Sequence, residues 1–350
     1  MTVATAATAA ASRTSAASAP AAATRPPGGP PVRVPCRFLG WGAAVPGGRL
    51  TNADLEARLD TSDAWITERT GIRERRTSGS GETTASLATA AGRAALERAG
   101  VAPSEVDLVL LATTTADTPC PSTAAHVQHA LGTRGPAVDV NAACAGFVYG
   151  LHLAAAAIHA GGLSRVLVIG GERITAITDP DDRATAILFG DGAGALLLEV
   201  AQPAAGEAGP GLLAVDLGGD GSAIPHLGIP AGDRYLRMDG QEVFRRATRA
   251  MATSCEAVLD GAGVSAEDVA LFVPHQANRR IIDATAARLG FPADRVAVNI
   301  DRYGNTSAAS VPMALAEALD AGRLSSGDLV LLSAVGAGLS WGSTLLRWGA

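Results

Sequence analysis

The sequence predicts an α/β protein whose mostly parallel sheet is covered by helices and whose two halves are related. Two observations indicate this class. Apolar segments of strand length alternate with helical segments from Cys36 onward, and the same order of segments occurs twice along the chain. The length of 350 residues allows one large α/β domain or two of ordinary size, with a substantial core.

The first half contains three apolar segments typical of buried strands, at 106–115, 137–144 and 165–171. An Ala-rich helical segment before the first strand ends at Gly100, because glycine commonly terminates helices. A second helical segment follows residue 144 and ends at Gly161 and Gly162. This order is typical of a parallel sheet with helical crossovers.

The second half repeats the pattern. The segments 269–278, 296–310 and 328–338 resemble the three strand regions of the first half, and a helical segment at 241–263 precedes them. We therefore expect one unit over 35–205 and a second over 206–350, joined near 201–211.

Residues 1–34 differ in composition from the rest of the chain. They are rich in Ala, Ser, Thr, Pro and Gly and contain no Leu, Ile or aromatic residue. Such a segment buries too little apolar surface to offset the entropy of ordering, which predicts a disordered tail. An organellar transit peptide remains an alternative, because the segment is Ser-rich and lacks acidic residues.

Composition excludes several functional classes. A formal net charge of −6 argues against nucleic-acid binding, and no apolar run approaches the ~18 residues of a membrane span. The four cysteines show no CxxC spacing, so we predict no disulfide framework and no metal site, and we expect a reduced, cytoplasmic location. The glycine-rich stretch 189–194 lacks the lysine of a phosphate-binding loop and predicts close backbone packing.

Three residues follow matched strands and are the candidates for chemistry: Cys144, His275 and Asn305. Taken singly, each has an ordinary interpretation as a small buried cysteine, a turn histidine or a helix-capping asparagine. Because equivalent strand ends of two related halves meet near one crevice, we expect the three side chains to converge there. Cys144 precedes a helix, whose N-terminal amides favour a thiolate and can hold an oxyanion.

These residues lie in motifs that resemble those of β-ketoacyl-acyl carrier protein synthase III, in the thiolase-like superfamily. The motifs are NAACAGF, VPHQANRRI, DRYGNTSAASVP, FGDGAGA and TNADLEARLDTSDAWITERTGIRERR. The resemblance extends from about Phe38 to Trp348. It implies a thiolase-like fold of two duplicated halves in α-β-α-β-α layers, and a homodimer whose acyl pocket is completed across the interface.

The resemblance also implies a reaction. Cys144 would accept an acyl group from an acyl-CoA, and His275 and Asn305 would stabilise the enolate that malonyl-acyl carrier protein forms when it loses CO2. Attack of this carbanion equivalent on the acyl-enzyme would give a β-ketoacyl product, which initiates fatty-acid or polyketide synthesis. Coenzyme A enters as a thioester substrate, and no metal or redox cofactor is implied. An oxyanion hole would combine the amide of Cys144 with one from the loop 335–339.

The coenzyme A contacts implied by the resemblance lie in three parts of the chain. Trp65 and Arg69 match the positions that stack on adenine and bind phosphate, and Arg183 matches the opposite side of that site. Phe244 and Asn278 match the pantetheine channel.

Other matched positions concern the carrier protein and the primer. Arg245 and Arg280 correspond to a basic patch that would meet the acidic carrier protein. Cys120 and Val335 stand where the family commonly has phenylalanine, at the end of the acyl pocket and near the nucleophile. Both substitutions enlarge the pocket, so we predict that it accepts a longer or branched primer.

Other functions are weighed against this one. An acyltransferase on the same scaffold would pass the acyl group to a hydroxyl or amine without decarboxylation, and relatives of that kind often have a carboxylate in place of Asn305. A non-catalytic structural protein is disfavoured because all three candidate residues are present. An NAD-binding protein is disfavoured because no strand-GxGxxG-helix segment is present.

Overall fold

The computed structural model describes residues 33–202 and 209–349. The predicted tail at 1–34 therefore lies outside the described residues, except for its last two positions. Val34 already belongs to the first strand, so the folded part begins one residue earlier than predicted. The proposed division between residues 205 and 206 also lies outside the described residues. Of the helices within these ranges, none is long and apolar enough to cross a membrane.

The strands of the described residues are β1 Val34–Ala44, β2 Gly48–Thr51, β3 Glu74–Thr77, β4 Leu108–Ala112, β5 Ala137–Val140, β6 Arg165–Arg173, β7 Asp191–Val200, β8 Gly211–Gly219, β9 Leu227–Gly228, β10 Arg237–Met238, β11 Val269–Pro274, β12 Leu329–Gly336 and β13 Ser340–Arg347. The α-helices are α1 Asn52–Glu56, α2 Asp63–Thr70, α3 Thr84–Ala99, α4 Thr123–Leu131, α5 Gly146–His159, α6 Arg183–Ala186, α7 Gly240–Ala262, α8 Arg279–Leu289, α9 Ile300–Tyr303 and α10 Ser310–Asp320. The predicted helices before β4 and after β5 are thus α3 and α5, and Gly100 ends α3 in the left-handed conformation with φ 64°.

Nine strands form one continuous sheet whose two ends repeat each other, in the order β11-β12-β13-β8-β1-β7-β6-β4-β5. At one end β4 is parallel to β5 and β6, and β6, β7 and β1 continue antiparallel. At the other end β11 is parallel to β12, and β12, β13 and β8 continue antiparallel. The duplicated halves expected from the sequence are therefore present, and a short β1–β8 pairing joins them.

One strand region of the second half departs from the repeat. The segment that matches β5 makes only a single parallel bridge, between Phe272 and Val296. The side chain of Gln276 takes the place of further pairing, because its amide donates to the carbonyl of Ala297 and its oxygen accepts from the backbone N–H of Asn299. The edge of the second half is thus held by a side chain rather than by a strand.

Helices cover both faces of each half, which gives the layered α/β arrangement that the resemblance implies. The outer helices α3 and α4 bury an Ala- and Leu-rich face on the first half, and α7 and α8 do the same on the second. Between the halves lie α5 and α10, whose residues are apolar on most sides. Helices of this kind are stable only when surrounded by protein. The central position of α5 and α10 brings their first turns to the middle of the molecule.

The glycines of the stretch 189–194 allow close packing, as the sequence predicts. A Cβ at Gly190 would lie 2.2 Å from the carbonyl oxygen of Tyr303, and one at Gly194 would lie 2.6 Å from the backbone nitrogen of Met313. Both distances are too short for any side chain. The stretch therefore holds β7 against the segment that leads into α10.

Candidate active site

A cavity of about 1140 Å³ lies where the ends of the matched strands meet, and its wall includes Cys144, His275 and Asn305. The three residues follow β5, β11 and α9. They are separated by 131 and 30 positions in the sequence, yet they line one cavity because the ends of β5 and β11 meet the turn after α9. The prediction that Asn305 follows a strand is wrong, because the segment before it pairs through one bridge only and continues into α9. The predicted convergence of the three side chains is present in the structure.

Cys144 lies in a short 3-10 turn, Ala143–Ala145, that leads directly into α5. Ala143 adopts a positive φ of 48°, which turns the chain sharply between the strand and the helix. Burial raises the pKa of the Cys144 thiol to about 11, although the neighbouring Ser307 side chain acts to lower it. The sequence predicts that the helix N-terminus favours the thiolate, and burial of the side chain acts in the opposite direction.

His275 is buried at the end of β11, where its backbone N–H donates to the carbonyl of Ser333 at 2.7 Å. Its Nδ1 lies 2.6 Å from the hydroxyl oxygen of Ser310, which also accepts from the backbone N–H of Gln276. Burial lowers the pKa of His275 to about 3, so the imidazole is neutral. Since Ser310 occupies Nδ1, Nε2 is the ring nitrogen left for a substrate.

Asn305 is held through its backbone and its side-chain oxygen. Its N–H donates to the carbonyl of Leu188 at 2.8 Å, and its carbonyl accepts from the N–H of Gly190 at 3.0 Å. The side-chain Oδ1 accepts from the backbone N–H of Ser307 at 2.9 Å. This bond fixes the orientation of the amide and leaves its NH2 group as the donor for a substrate oxygen.

Two residues beneath the nucleophile were not identified from the sequence. Glu172, at the end of β6, is fully buried and accepts hydrogen bonds from Ser307 at 3.0 Å and from the backbone N–H and hydroxyl groups of residues 113–115. Ser307 therefore lies between this carboxyl group and the Cys144 thiol. The available signal was an acidic residue in an otherwise apolar strand, RVLVIGGER.

The loop after β12 closes the cavity over the nucleophile. Val335 and the four residues that follow it line the wall. A Cβ at Gly336 would lie 2.4 Å from the backbone nitrogen of Cys144, so only glycine allows the two chains to approach this closely. Cys120, in contrast, is exposed and lies away from the cavity wall of its own chain.

Most residues expected to contact coenzyme A lie at the mouth of the cavity. Arg69, Phe244 and Asn278 line its wall. Two cations lie near the Trp65 ring, with the guanidinium carbons of Arg69 and Arg183 at 5.6 Å and 5.0 Å from its centre. Asn278 caps α8 and donates to the carbonyl of Arg69 at 3.1 Å, which joins the two sides of the mouth.

The two arginines of the expected basic patch differ in their surroundings. Arg245 forms an ion pair with Glu242, with Nη2 and Oε2 2.6 Å apart. Arg280 lies on the cavity wall with its guanidinium carbon 5.5 Å from the centre of the Phe244 ring. Arg280 makes no ion pair within the part of the chain that the structure describes, so it is the more available cation. In the same ranges, no group of His, Cys, Asp and Glu side chains is suited to holding a metal ion.

Comparison with known proteins gives consistent matches over most of the chain. Profiles of the 3-oxoacyl-[acyl-carrier-protein] synthase III family match residues 138–221, and residues 259–348 with its C-terminal part. The β-ketoacyl-[acyl-carrier-protein] synthase III of Rhizobium meliloti is 49% identical over 316 residues, which are 88% of this chain and 98% of that protein.

Solved structures show the same similarity. The 3-oxoacyl-[acyl-carrier-protein] synthase III of Aquifex aeolicus gives a TM-score of 0.86 at 45% identity and covers 89% of this chain and 100% of that one. The priming β-ketosynthase of the R1128 polyketide biosynthetic pathway gives a TM-score of 0.85 at 38% identity and covers 91% and 98% of the two chains.

Proposed function

Because the chain belongs to the β-ketoacyl-acyl carrier protein synthase III family, we propose that Cys144, His275 and Asn305 form its catalytic triad. The protein is an acyltransferase that condenses an acyl-CoA primer with malonyl-acyl carrier protein through an acyl-cysteine. The observation that carries the assignment is the convergence of the three side chains on one cavity.

In the first half-reaction the thiol of Cys144 attacks the thioester carbonyl of the acyl-CoA. The thiol must lose its proton during attack, because its pKa is raised to about 11. His275 lines the same cavity, and its Nε2 relays the proton when Nδ1–H donates to Ser310. The proton then passes to the departing coenzyme A thiolate, so the products are acyl-Cys144 and free coenzyme A.

In the second half-reaction malonyl-acyl carrier protein loses CO2, and the electron pair of the broken C–C bond forms an enolate. Nε2–H of His275 and the NH2 group of Asn305 donate to the enolate oxygen. This step needs the tautomer with the proton on Nε2. The Ser310 hydroxyl is compatible with that tautomer, because it can donate to the unprotonated Nδ1. Both donors are neutral, so they avoid the repulsion that a carboxylate would introduce.

The new C–C bond forms when the enolate carbon attacks acyl-Cys144. The developing oxyanion is held by the backbone N–H of Cys144 and by an amide of the loop 335–339. The close approach of Gly336 to the Cys144 nitrogen supports this pairing. Collapse of the tetrahedral intermediate expels Cys144 as a thiolate and releases the β-ketoacyl-carrier protein. The thiolate takes up a proton from solvent, because its own proton left with coenzyme A. The chemistry uses thiol, imidazole and amide groups alone, so we propose no metal or redox cofactor.

Coenzyme A is proposed to bind with its adenine at Trp65 and its pantetheine along Phe244 and Asn278. Arg183 lies 5.0 Å from the Trp65 ring centre, and an adenine ring stacked on Trp65 would displace its guanidinium. Arg69 supplies a cation at the cavity mouth for phosphate. We propose that the carrier protein approaches the same mouth over Arg280, with Arg245 contributing where the acidic partner competes for its ion pair with Glu242.

We propose that the chain acts as a homodimer in the cytoplasm and accepts a longer or branched primer. Two apolar side chains near the free edge of the first half support a dimer, since Val138 on β5 and Leu153 on α5 are each 45% exposed. Val335 supports the wider pocket from within the chain, and Cys120 would contribute to it from the partner. The four free cysteines support a reducing compartment.

Intact-mass spectrometry tests the assignment. The protein is incubated with acyl-CoAs from acetyl to decanoyl, including branched ones, and malonyl-acyl carrier protein is then added. We expect one acyl group per chain, its loss in Cys144→Ala, and a β-ketoacyl-carrier product. Cys255→Ala, which removes a different buried cysteine, should keep the acylation. Acylation without a β-ketoacyl product would overturn the proposed condensation, and acylation that survives Cys144→Ala would overturn the assigned nucleophile.

A further inference from the structure

A buried arginine that the proposed reaction does not use lies beneath the active site. Arg75, on β3, is fully buried, and no ion pair involves it within the described ranges. Its Nε and Nη2 donate to the carbonyl of Ile187 at 3.1 Å and 2.5 Å, and its Nη1 donates to Oδ1 of Asn52 at 2.6 Å. Burial lowers the pKa of Arg75 only to about 10, so the side chain is a cation at neutral pH.

Placing a cation among neutral acceptors costs free energy, because these acceptors do not replace the solvation that the charge loses. The carbonyl that Arg75 binds is therefore significant. Ile187 directly precedes Leu188, and Leu188 together with Gly190 forms the backbone hydrogen bonds that hold Asn305 on both sides. The guanidinium thus fixes the start of the segment to which Asn305 is bound.

The stem of Arg75 also contacts the segment that contains Asn305. Gly304 has a φ of 67°, and a Cβ there would lie 3.0 Å from Cγ of Arg75. A Cβ at Gly190 would lie 3.3 Å from Cβ of Arg75. Both neighbours of the Asn305 backbone thus lie directly against this one side chain.

The guanidinium is itself held from the other side. Asn52 accepts from Arg75, and its Nδ2 donates to Oδ1 of Asp63 at 2.7 Å and to the carbonyl of Ile72 at 2.9 Å. The charge of Asp63 also favours the charged form of Arg75. Asp63 opens α2, the helix that carries Trp65. The network therefore extends from the coenzyme A side of the molecule to the Asn305 segment.

We propose that Arg75 is a positioning residue that holds Asn305 in the geometry needed for decarboxylation and condensation. The inference rests on the proposed role of Asn305 in the second half-reaction. Loss of Arg75 is expected to slow the second half-reaction and not the first, because acyl transfer to Cys144 does not use the Asn305 amide. Displacement of a positioned donor by about 1 Å costs up to about 100-fold in rate.

The test compares the two half-reactions in Arg75→Lys. Lysine keeps a cation but cannot bind the Ile187 carbonyl and Asn52 through one rigid fork. We expect condensation of preformed acyl-enzyme to fall by about 10- to 100-fold and acylation of Cys144 to change by less than about threefold. Both rates are normalised to the amount of Cys144 that can be acylated, which removes the contribution of unfolded protein. Arg73→Lys, an exposed arginine two positions earlier, is the matched control and should leave both rates unchanged.

A double-mutant cycle with Asn305→Ala completes the test. If Arg75 acts through Asn305, adding Arg75→Lys to Asn305→Ala causes no further loss of condensation rate. Additive losses, or equal slowing of both half-reactions in Arg75→Lys, would show a structural role alone and overturn the inference. If Asn305→Ala by itself leaves condensation unchanged, the proposed triad fails and the inference fails with it. Should Arg75→Lys not fold, Asn52→Ala removes one anchor of the guanidinium and must show the same preference for the second half-reaction.

Discussion

Two side chains beside the Cys144 thiol act on its pKa in opposite directions. The charge of Glu172 raises the pKa of the thiol, and the Ser307 side chain lowers it. We predict that Glu172→Gln shifts the pH profile of Cys144 alkylation by iodoacetamide to lower pH, because the amide cannot carry the negative charge that raises the pKa of the thiol. We predict a shift to higher pH for Ser307→Ala. Shifts of the same sign in both variants would contradict these assigned influences.

The neutral state of His275 gives a second prediction, for the pH dependence of condensation. Its pKa is lowered to about 3 by burial, so the imidazole remains uncharged well below neutral pH. Once Cys144 carries an acyl group, no thiol is left to titrate there. We therefore expect the single-turnover rate of acyl-enzyme with malonyl-acyl carrier protein to be nearly constant between about pH 5 and pH 8, where an unperturbed histidine would titrate. A fall in rate centred near pH 6.5 would contradict a neutral His275.

Gly170 on β6 lies in close contact with the turn that leads into α10. A Cβ at this position would lie 2.3 Å from the carbonyl oxygen of Ala308, in the turn between Asn305 and α10. We predict that Gly170→Ala lowers the free energy of unfolding by about 1–3 kcal/mol, because the turn must move away from the sheet. The same displacement should slow condensation. Denaturant unfolding and single-turnover kinetics measure the two effects.

The matched control is Gly261 in α7, where a Cβ would meet no atom within 4 Å. In a helix, alanine is preferred to glycine by about 0.5–1 kcal/mol, so Gly261→Ala is expected to stabilise the protein and leave activity unchanged. Equal effects of Gly170→Ala and Gly261→Ala on stability and condensation rate would contradict the prediction. They would show that the close contact of β6 with the turn is not the reason why position 170 requires glycine.

In the proposed homodimer, the residue at position 120 is expected to limit the length of the acyl chain that the pocket accepts. This side chain is exposed and away from the cavity of its own chain, which agrees with the proposal that a partner chain contributes it to the pocket. We predict that the Cys120→Phe homodimer loses acylation by octanoyl- and decanoyl-CoA by about tenfold or more, because a ring fills the pocket.

Mixed dimers identify which chain supplies the residue. In a dimer of a Cys144→Ala chain and a Cys120→Phe chain, only the second can be acylated, and its partner supplies the native Cys120. We expect this dimer to accept the long primers as the unmodified protein does. A mixed dimer as restricted as the Cys120→Phe homodimer would mean that each chain completes its own pocket.

Local sequence patterns determined the alternation of strands and helices, the repetition of the two halves, and Cys144 and His275 at strand ends. Apolar periodicity and glycines that end helices are properties of a single segment. The sequence therefore predicts β4, β6, β11 and β12 without knowledge of their neighbours. The motif resemblance added the family and the coenzyme A residues. The short-range pattern failed at 296–298, where a strand was expected, because the side chain of Gln276 binds that backbone instead.

Only the tertiary structure decided the pKa values of the site residues and the hydrogen bonds that hold them in place. The helix N-terminus predicted a favoured thiolate at Cys144, but the depth of burial and the charge of Glu172 are set by other elements. Arg75 looks like any surface arginine in GIRERR, and its role follows from the carbonyl of Ile187, 112 positions away. A sequence pattern reports what each segment prefers on its own. Burial, pKa values and hydrogen-bond partners depend on which distant segments come together.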